Sequence, residues 1–399
     1  MADLTGSGKQ SNFELNPFRE WNRSFTLLAI AMASVGVFFG IQLTLFNNFI
    51  VERLAIEPHE LGYMEALREV PGFLNFLFLA IAVAFYPPMT AAFCLVLMGL
   101  GIAGYASVGT VGGLIFFSVV WSIGFHCWVP LSQSMALLYS PSGKKGRWLG
   151  QLRSVESFAW LVTIGIAILL FDSIGYNGLF VLAATACVIG GCAVFFADKK
   201  KRSGRERAFV LKRRYTVYYA LQFLQGWRKQ MFITFAIFAL VKVHGMPVQT
   251  TMVLVLINQF LVTLTGPTMG RLVDRFGERT CLSWSYVGLA MVFLGYAFIE
   301  NRPVLYVLYC VDNLLFVGGI ALTTYLNRIA LPEDLKPTLS MGVTWNHVSS
   351  VAAPLIGGFA WHFFGYQVIF VLGALLALVS LAVSQFIQPD DSGPDQGKA

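Results

Sequence analysis

Charge is the scarcest property of this 399-residue sequence. Asp, Glu, Lys and Arg make up 12% of it, against 56% apolar residues, where a soluble domain carries about 25% charged residues. So few charges cannot cover a water-soluble fold of this size. That excludes a soluble enzyme, a disordered chain and a nucleic-acid binder, despite a net charge of +7. Cysteine is sparse too. Cys94, Cys127, Cys187, Cys192, Cys281 and Cys310 all sit in apolar stretches, with no C-x-x-C and no metal-ligand spacing. They point to neither zinc nor a redox pair, and no metal or other cofactor is expected. A nucleotide-binding loop is missing, so ATP is not expected to supply energy. Short segments of alternating polarity, which would mark a membrane β-barrel, are missing as well.

What the sequence has is apolar runs. A membrane helix needs about 20 largely apolar residues. Twelve such segments are predicted: 25–49, 62–85, 89–108, 112–138, 149–171, 178–197, 215–241, 250–269, 281–299, 303–326, 340–361 and 367–387. The fold class expected is therefore an all-α, multi-pass membrane protein. Residues 1–23 are polar, and the first apolar run is too long for a signal peptide and lacks a small-residue cleavage site, so the amino terminus is expected to stay with the protein. Lys and Arg set the orientation. Of 28 such residues, 21 fall on the face that carries the termini. Three fall on the other (Arg53, Lys242, Arg302) and four inside spans (Arg68, Arg153, Arg228, Lys229). Both termini are thus expected in the cytoplasm, with the protein in the plasma or inner membrane. The connection 199–214 is the most basic. A solvated cytoplasmic linker explains it more simply than a site for anionic lipid heads.

That linker divides twelve spans into six and six, and the two sets are alike. Residues 175–184 read GYNGLFVLAA and residues 365–374 read GYQVIFVLGA, identical at six of ten positions at an offset of 190. Near the same offset Arg23-Ser24-Phe25-Thr26 matches Arg213-Arg214-Tyr215-Thr216, Pro58 matches Pro247 and Pro141 matches Pro332. Each half begins on the same face, which makes them parallel repeats about an axis along the membrane normal, as in transporters with a midplane site between two rocking halves. The expected units are an N-terminal bundle 1–198, the linker 199–214 and a C-terminal bundle 215–399.

In these features the chain resembles the major facilitator superfamily of secondary transporters over nearly its whole length. Gly270-Arg271-Leu272-Val273-Asp274-Arg275-Phe276-Gly277-Glu278-Arg279 fits the family's G-x-x-x-D-R-x-G-x-R loop between helices 8 and 9. The resemblance implies that this loop latches an outward-open state. Asp274 would cap or pair with a neighbouring helix end, and Arg275 and Arg279 would face the anionic leaflet. The first-half copy is replaced by Tyr86-Pro87-Pro88-Met89. The exchanger signature G-P-x-x-G-G of helix 5 has only a near match, Ala353-Pro354-Leu355-Ile356-Gly357-Gly358, in helix 11.

Chemistry is expected where ionisable groups lie at membrane depth, since a charge at the bilayer centre costs roughly 3 kcal/mol even on insertion scales. Four cations, Arg68, Arg153, Arg228 and Lys229, face four anions, Glu65, Glu69, Glu156 and Asp312. On helix 7, Arg228 and Lys229 lie among Gln225, Gly226, Trp227 and Gln230. Neighbours on a helix point about 100° apart, so one cation is expected to face the central cavity and the other to find a carboxylate. Substrate contact is assigned to Arg228, Lys229, Trp227, Gln225, His126, Trp128, Asn313 and Gln42, with a structural ion pair as the alternative for the cations. Asp312 or His126 would carry a proton. Glu65, Arg68 and Glu69 share a face at i, i+3 and i+4 in the outer third of helix 2, as an outer gate or a local salt-bridge cluster. Arg153 and Glu156 would form an inner gate or a self-satisfied pair. Trp345, Asn346 and His347 add a polar cluster on helix 11. Amides such as Gln42, Asn47 and Asn48 would bind solute or join helices.

The function expected is a secondary active transporter, working as a monomer by alternating access, for a small anionic or amphipathic organic solute coupled to H⁺. A polyspecific multidrug efflux antiporter is the alternative. A non-transporting sensor or assembly protein on the same fold is a further one, and no enzyme activity is expected.

Overall fold

The computed structural model describes residues 20–74, 85–141, 143–199, 211–315 and 318–388. Most of the linker lies outside them. All described elements are helices: α1 Arg23–Leu54, α2 Pro58–Phe73, α3 Pro87–Tyr105, α4 Val111–Tyr139 and a long run Lys145–Phe195. That run breaks at Gly175 (φ 60°, ψ −164°), which divides it into α5, residues 145–174, and α6, residues 176–195. A short 3₁₀ turn Arg213–Tyr215 leads into α7 Thr216–Lys242, α8 Val248–Phe276 and α9 Glu278–Phe298. Helix α10 is described in two pieces, Arg302–Leu315 and Gly318–Ile329. Helices α11 Pro332–Phe364 and α12 Tyr366–Ser384 follow. This is an all-α fold of two six-helix bundles.

Local chemistry sets the helix ends. Asn22 caps α1, its Oδ1 accepting from the Phe25 N–H at 2.9 Å. Thr110 does the same for α4, accepting from Gly113 at 3.2 Å, and Glu60 reaches back to the Glu57 N–H at 2.8 Å ahead of Pro58. Each cap satisfies an orphan donor of the first turn. The repeat seen in sequence is a repeat of these joints. Gly365 (φ 86°) joins α11 to α12 as Gly175 joins α5 to α6, both at positive φ where a side chain would be strained. Pro58 opens α2, and its counterpart Pro247 is the cap of α8.

Eight helical stretches among the described residues are long and apolar enough to cross a membrane, and one of them is the double run Lys145–Phe195. Helices α2, α7 and α11 are not among the eight. These three carry Glu65, Arg68 and Glu69, then Arg228 and Lys229, then Trp345, Asn346 and His347. Helix α2 is described over 16 residues only, and its Glu69 meets His347 of α11 in the fold.

The halves meet most tightly away from the termini. At that far face the Asn48 Nδ2 donates to the Met246 carbonyl at 2.9 Å, and the Thr251 hydroxyl donates to Asn48 Oδ1 at 2.7 Å. Lys242 Nζ reaches the Ile56 carbonyl at 2.6 Å and Glu57 Oε1 at 3.0 Å. Helices α2 and α11 touch backbone to backbone: a Cβ at Gly358 would lie 2.6 Å from the Pro58 carbonyl oxygen, and one at Gly62 would lie 2.6 Å from that of Pro354. The near match to the exchanger signature in α11 thus serves this close approach.

Candidate functional site

Helix α2 delivers its three charged residues to the middle of the molecule. Arg68 pairs with Glu65, and its Nη2 lies 3.8 Å from Glu69 Oε1. The guanidinium sits 5.4 Å over the Trp121 ring, a cation–π contact that favours the charge out of water. Below it, the Ser122 hydroxyl donates to the Arg68 carbonyl. His126 Nδ1 is 2.9 Å from the Ser122 carbonyl oxygen. A carbonyl only accepts, so Nδ1 carries a hydrogen, and Nε2 lies 3.9 Å from Glu69 Oε2. On the other half, His347 Nδ1 lies 3.5 Å from the same oxygen. The two imidazoles meet edge to face at 5.4 Å. Lys229 of α7 is within electrostatic reach of Glu69.

The sequence places Glu65, Arg68 and Glu69 in the outer third of their helix, and of the three Glu69 lies at the level of His126 and His347. Glu69 touches His126 and His347, each near the middle of its own helix. Helix α2 begins at Pro58, four residues before its apolar run, so the charges fall further along it.

The two cations of α7 point apart. Arg228 is 1% exposed and its Nη1 lies 3.3 Å from Asp312 Oδ1 of α10. Lys229, the next residue, has Glu69 among the charges near it. Gln225 is buried near Gly319 of α10, Trp227 is partly buried 5.8 Å from Phe223, and Asn313 donates to its own helix at the Tyr309 carbonyl, 2.9 Å away.

One cavity lies within the N-terminal half and a smaller one between that half and α7. The larger, about 340 Å³, is walled by α1, α4 and α5 on the termini side of the midplane: Phe39, Phe125, Trp128 and Trp160 form an aromatic wall, and Arg153 and Glu156 supply its charge. Arg153 Nη1 and Glu156 Oε2 are 2.9 Å apart, the arginine well exposed. The smaller, about 30 Å³, lies between Gln42, Asn47, Glu65, Arg68 and Thr234. Both amide atoms of Gln42 are buried there without a protein partner, and a polar void of that size suits a water molecule.

Comparison with known proteins agrees with this architecture. A family model described as Major Facilitator Superfamily matches residues 218–399. The structure resembles that of the nucleoside transporter NupG, with a TM-score of 0.75 at 13% identity over 91% of this chain and 99% of that one. It also resembles a bacterial homologue of the human lysosomal transporter Spinster in an inward-facing, occupied conformation, with a TM-score of 0.72 at 13% identity over 93% and 97%. The C-terminal part of the chain, residues 218–399, thus matches the major facilitator superfamily, and the whole chain shares the fold of these transporters. An uncharacterised MFS-type transporter of Methanocaldococcus jannaschii is 29% identical over 137 residues, so the match spans a third of this chain and a third of that relative. The likeness in fold and the eight apolar helical stretches support a multi-pass membrane protein.

The facilitator loop between α8 and α9 shrinks to a turn at Gly277 (φ 76°). Asp274 is exposed, and the ion pair at this junction is Glu278 with Arg328 at 3.3 Å. Arg279 donates twice to Gln385 Oε1, at 3.1 and 2.9 Å, and Arg275 lies 5.3 Å over the Phe276 ring. The structure adds one residue to the midplane group that sequence spacing could not: His347 reaches Glu69 only because α11 packs on α2.

Proposed function

We propose that this protein is a secondary transporter that moves a small amphipathic organic solute by alternating access between its halves. The reading rests on one observation: the far face is sealed by contacts between the halves while an aromatic cavity with its own ion pair lies on the termini side. A solute would set an apolar ring or chain against Phe39, Phe125, Trp128 and Trp160 and its polar end at Arg153 and Glu156. A volume of about 340 Å³ is at the lower end for small-molecule pockets, which points to a compact solute. The presence of both charge signs supports an amphipathic or zwitterionic solute over a simple anion, and nucleosides, the substrates named for the NupG relative, belong in any test panel. With the termini in the cytoplasm, as the basic residues imply, this conformation is inward-facing. The domain boundary falls in the linker 199–214, and the transporter acts as a monomer in the plasma or inner membrane.

The driving ion in this reading is H⁺, taken up at Asp312. A carboxylate with one cationic partner in a dry site exchanges a proton when that partner moves. The test is solute counterflow in proteoliposomes, after a thermal-shift screen has identified solutes that stabilise the folded protein. Trp160→Ala and Arg153→Gln should each lower counterflow at least tenfold at unchanged expression. Asp312→Asn should abolish accumulation driven by a pH gradient while retaining counterflow per folded molecule. Wild-type flux in both cavity variants would remove this cavity from the solute path. Undiminished gradient-driven uptake in Asp312→Asn would remove Asp312 from coupling. A polyspecific efflux pump is the second reading the aromatic wall favours, and competition by many unrelated lipophilic cations would mark it.

A further inference from the structure

We propose that Glu69, His126 and His347 form a binding site for a divalent transition-metal ion shared between the two halves. The three ligand atoms, Glu69 Oε2, His126 Nε2 and His347 Nδ1, lie within 4.8 Å of one another. The carboxylate oxygen is 3.9 Å from one nitrogen and 3.5 Å from the other. In a tetrahedral site with bonds of about 2.0–2.1 Å, neighbouring ligand atoms are about 3.4 Å apart. The group needs to contract to close on an ion, least between Glu69 and His347, and three protein ligands leave a fourth position open, as in sites that bind a further small ligand.

Three features beyond the ligand atoms fit a metal. First, the Ser122 carbonyl holds His126 Nδ1–H at 2.9 Å, the outer-shell bond that fixes the tautomer of a metal-binding imidazole. Second, Gly72 leaves the space open: a Cβ there would lie 2.6 Å from His126 Nε2 and 2.8 Å from His347 Cε1. Third, Glu69, His126 and His347 keep side-chain exposures of 14%, 11% and 23%, so an ion can reach them. Two imidazoles and one carboxylate favour zinc, cobalt or nickel over magnesium or calcium, which prefer oxygen.

The charges around the site set its strength. The charge of Arg68 is matched by Glu65. Lys229 is the competitor, a cation that shares Glu69 with the incoming ion. Metal binding would also tie α2 and α4 of one half to α11 of the other at mid-depth, and so favour the conformation described here.

The test uses the full-length protein, purified in detergent and titrated with Co²⁺, followed by visible absorption, by equilibrium dialysis and by melting temperature. One Co²⁺ per chain is expected, with the absorption of a tetrahedral centre and a raised melting temperature. His347→Gln and His126→Gln should each weaken binding at least tenfold while melting as wild type in metal-free buffer. Gly72→Ala should weaken it as well. Lys229→Gln should tighten it several-fold, a gain that no misfolded variant could mimic. The proposal is overturned if the wild type binds no Co²⁺, if the double variant His126→Gln/His347→Gln binds it as well as wild type, or if Lys229→Gln does not change the affinity.

Discussion

At the scale of single residues, the two cations of α7 illustrate how adjacency separates roles. Arg228 is sealed against Asp312 at 3.3 Å, and Lys229, one helical step on, feels the charge of Glu69. The sequence makes it clear that two such costly charges need partners, and that they must point apart. It does not say which carboxylate each takes, because Asp312 and Glu69 come from helices whose packing no local pattern encodes. A buried pair costs most when one member is left alone: removing one partner destabilises by about 3–5 kcal/mol, while removing both together can be nearly neutral. Chemical denaturation should therefore find Arg228→Ala and Asp312→Ala each strongly destabilised and the double variant close to wild type. Additive losses in the double variant would show that the two side chains do not rely on each other.

At the scale of elements, the C-terminal bundle is pinned at its termini-side end by side chains gathered at Asp334, ahead of the apolar span of α11. Lys212 donates to both carboxylate oxygens of Asp334 at 2.9 and 2.7 Å, Tyr215 donates to Oδ2 at 2.8 Å, and Arg214 reaches the Ile329 carbonyl at 2.7 Å. The hydrogen bond from Lys212, with that from Tyr215, holds the Asp334 carboxyl below the usual range. A lowered folded-state pKa stabilises above the unfolded value and loses that contribution as the pH falls through the folded one. Asp334→Asn should therefore melt below wild type at neutral pH, and the gap should close as acid protonates Asp334 in the wild type. A gap that stays constant into acid would contradict this linkage. Elements were the most legible level in the sequence. The apolar runs give the helices, and the shared GY and FVL positions of 175–184 and 365–374 mark joints that in the fold are two positive-φ glycines. Depth was less legible: α2 starts ahead of its apolar run, at a proline with a capping glutamate, so Glu69 falls further along it. The G-P-x-x-G-G-like segment of α11 reads as a misplaced signature until Gly358 is seen against Pro58 and Gly62.

At the scale of the whole molecule, the account turns on the two halves as moving bodies. Duplication supplies matched bundles, the far-face hydrogen bonds close one end, and the aromatic cavity occupies the other side of the midplane. Transport by this design requires the far-face seal to break in every cycle. The most direct test places cysteines at Asn48 and Thr251, whose side chains meet across the halves at 2.7 Å, in a background where the exposed Cys192 is changed to serine. Counterflow in proteoliposomes is then measured before oxidation, after a disulfide forms, and after reduction. Flux should fall to the protein-free level while the bond holds and return when it is reduced. Flux that continues at the wild-type rate through the locked seal would contradict alternating access between these halves.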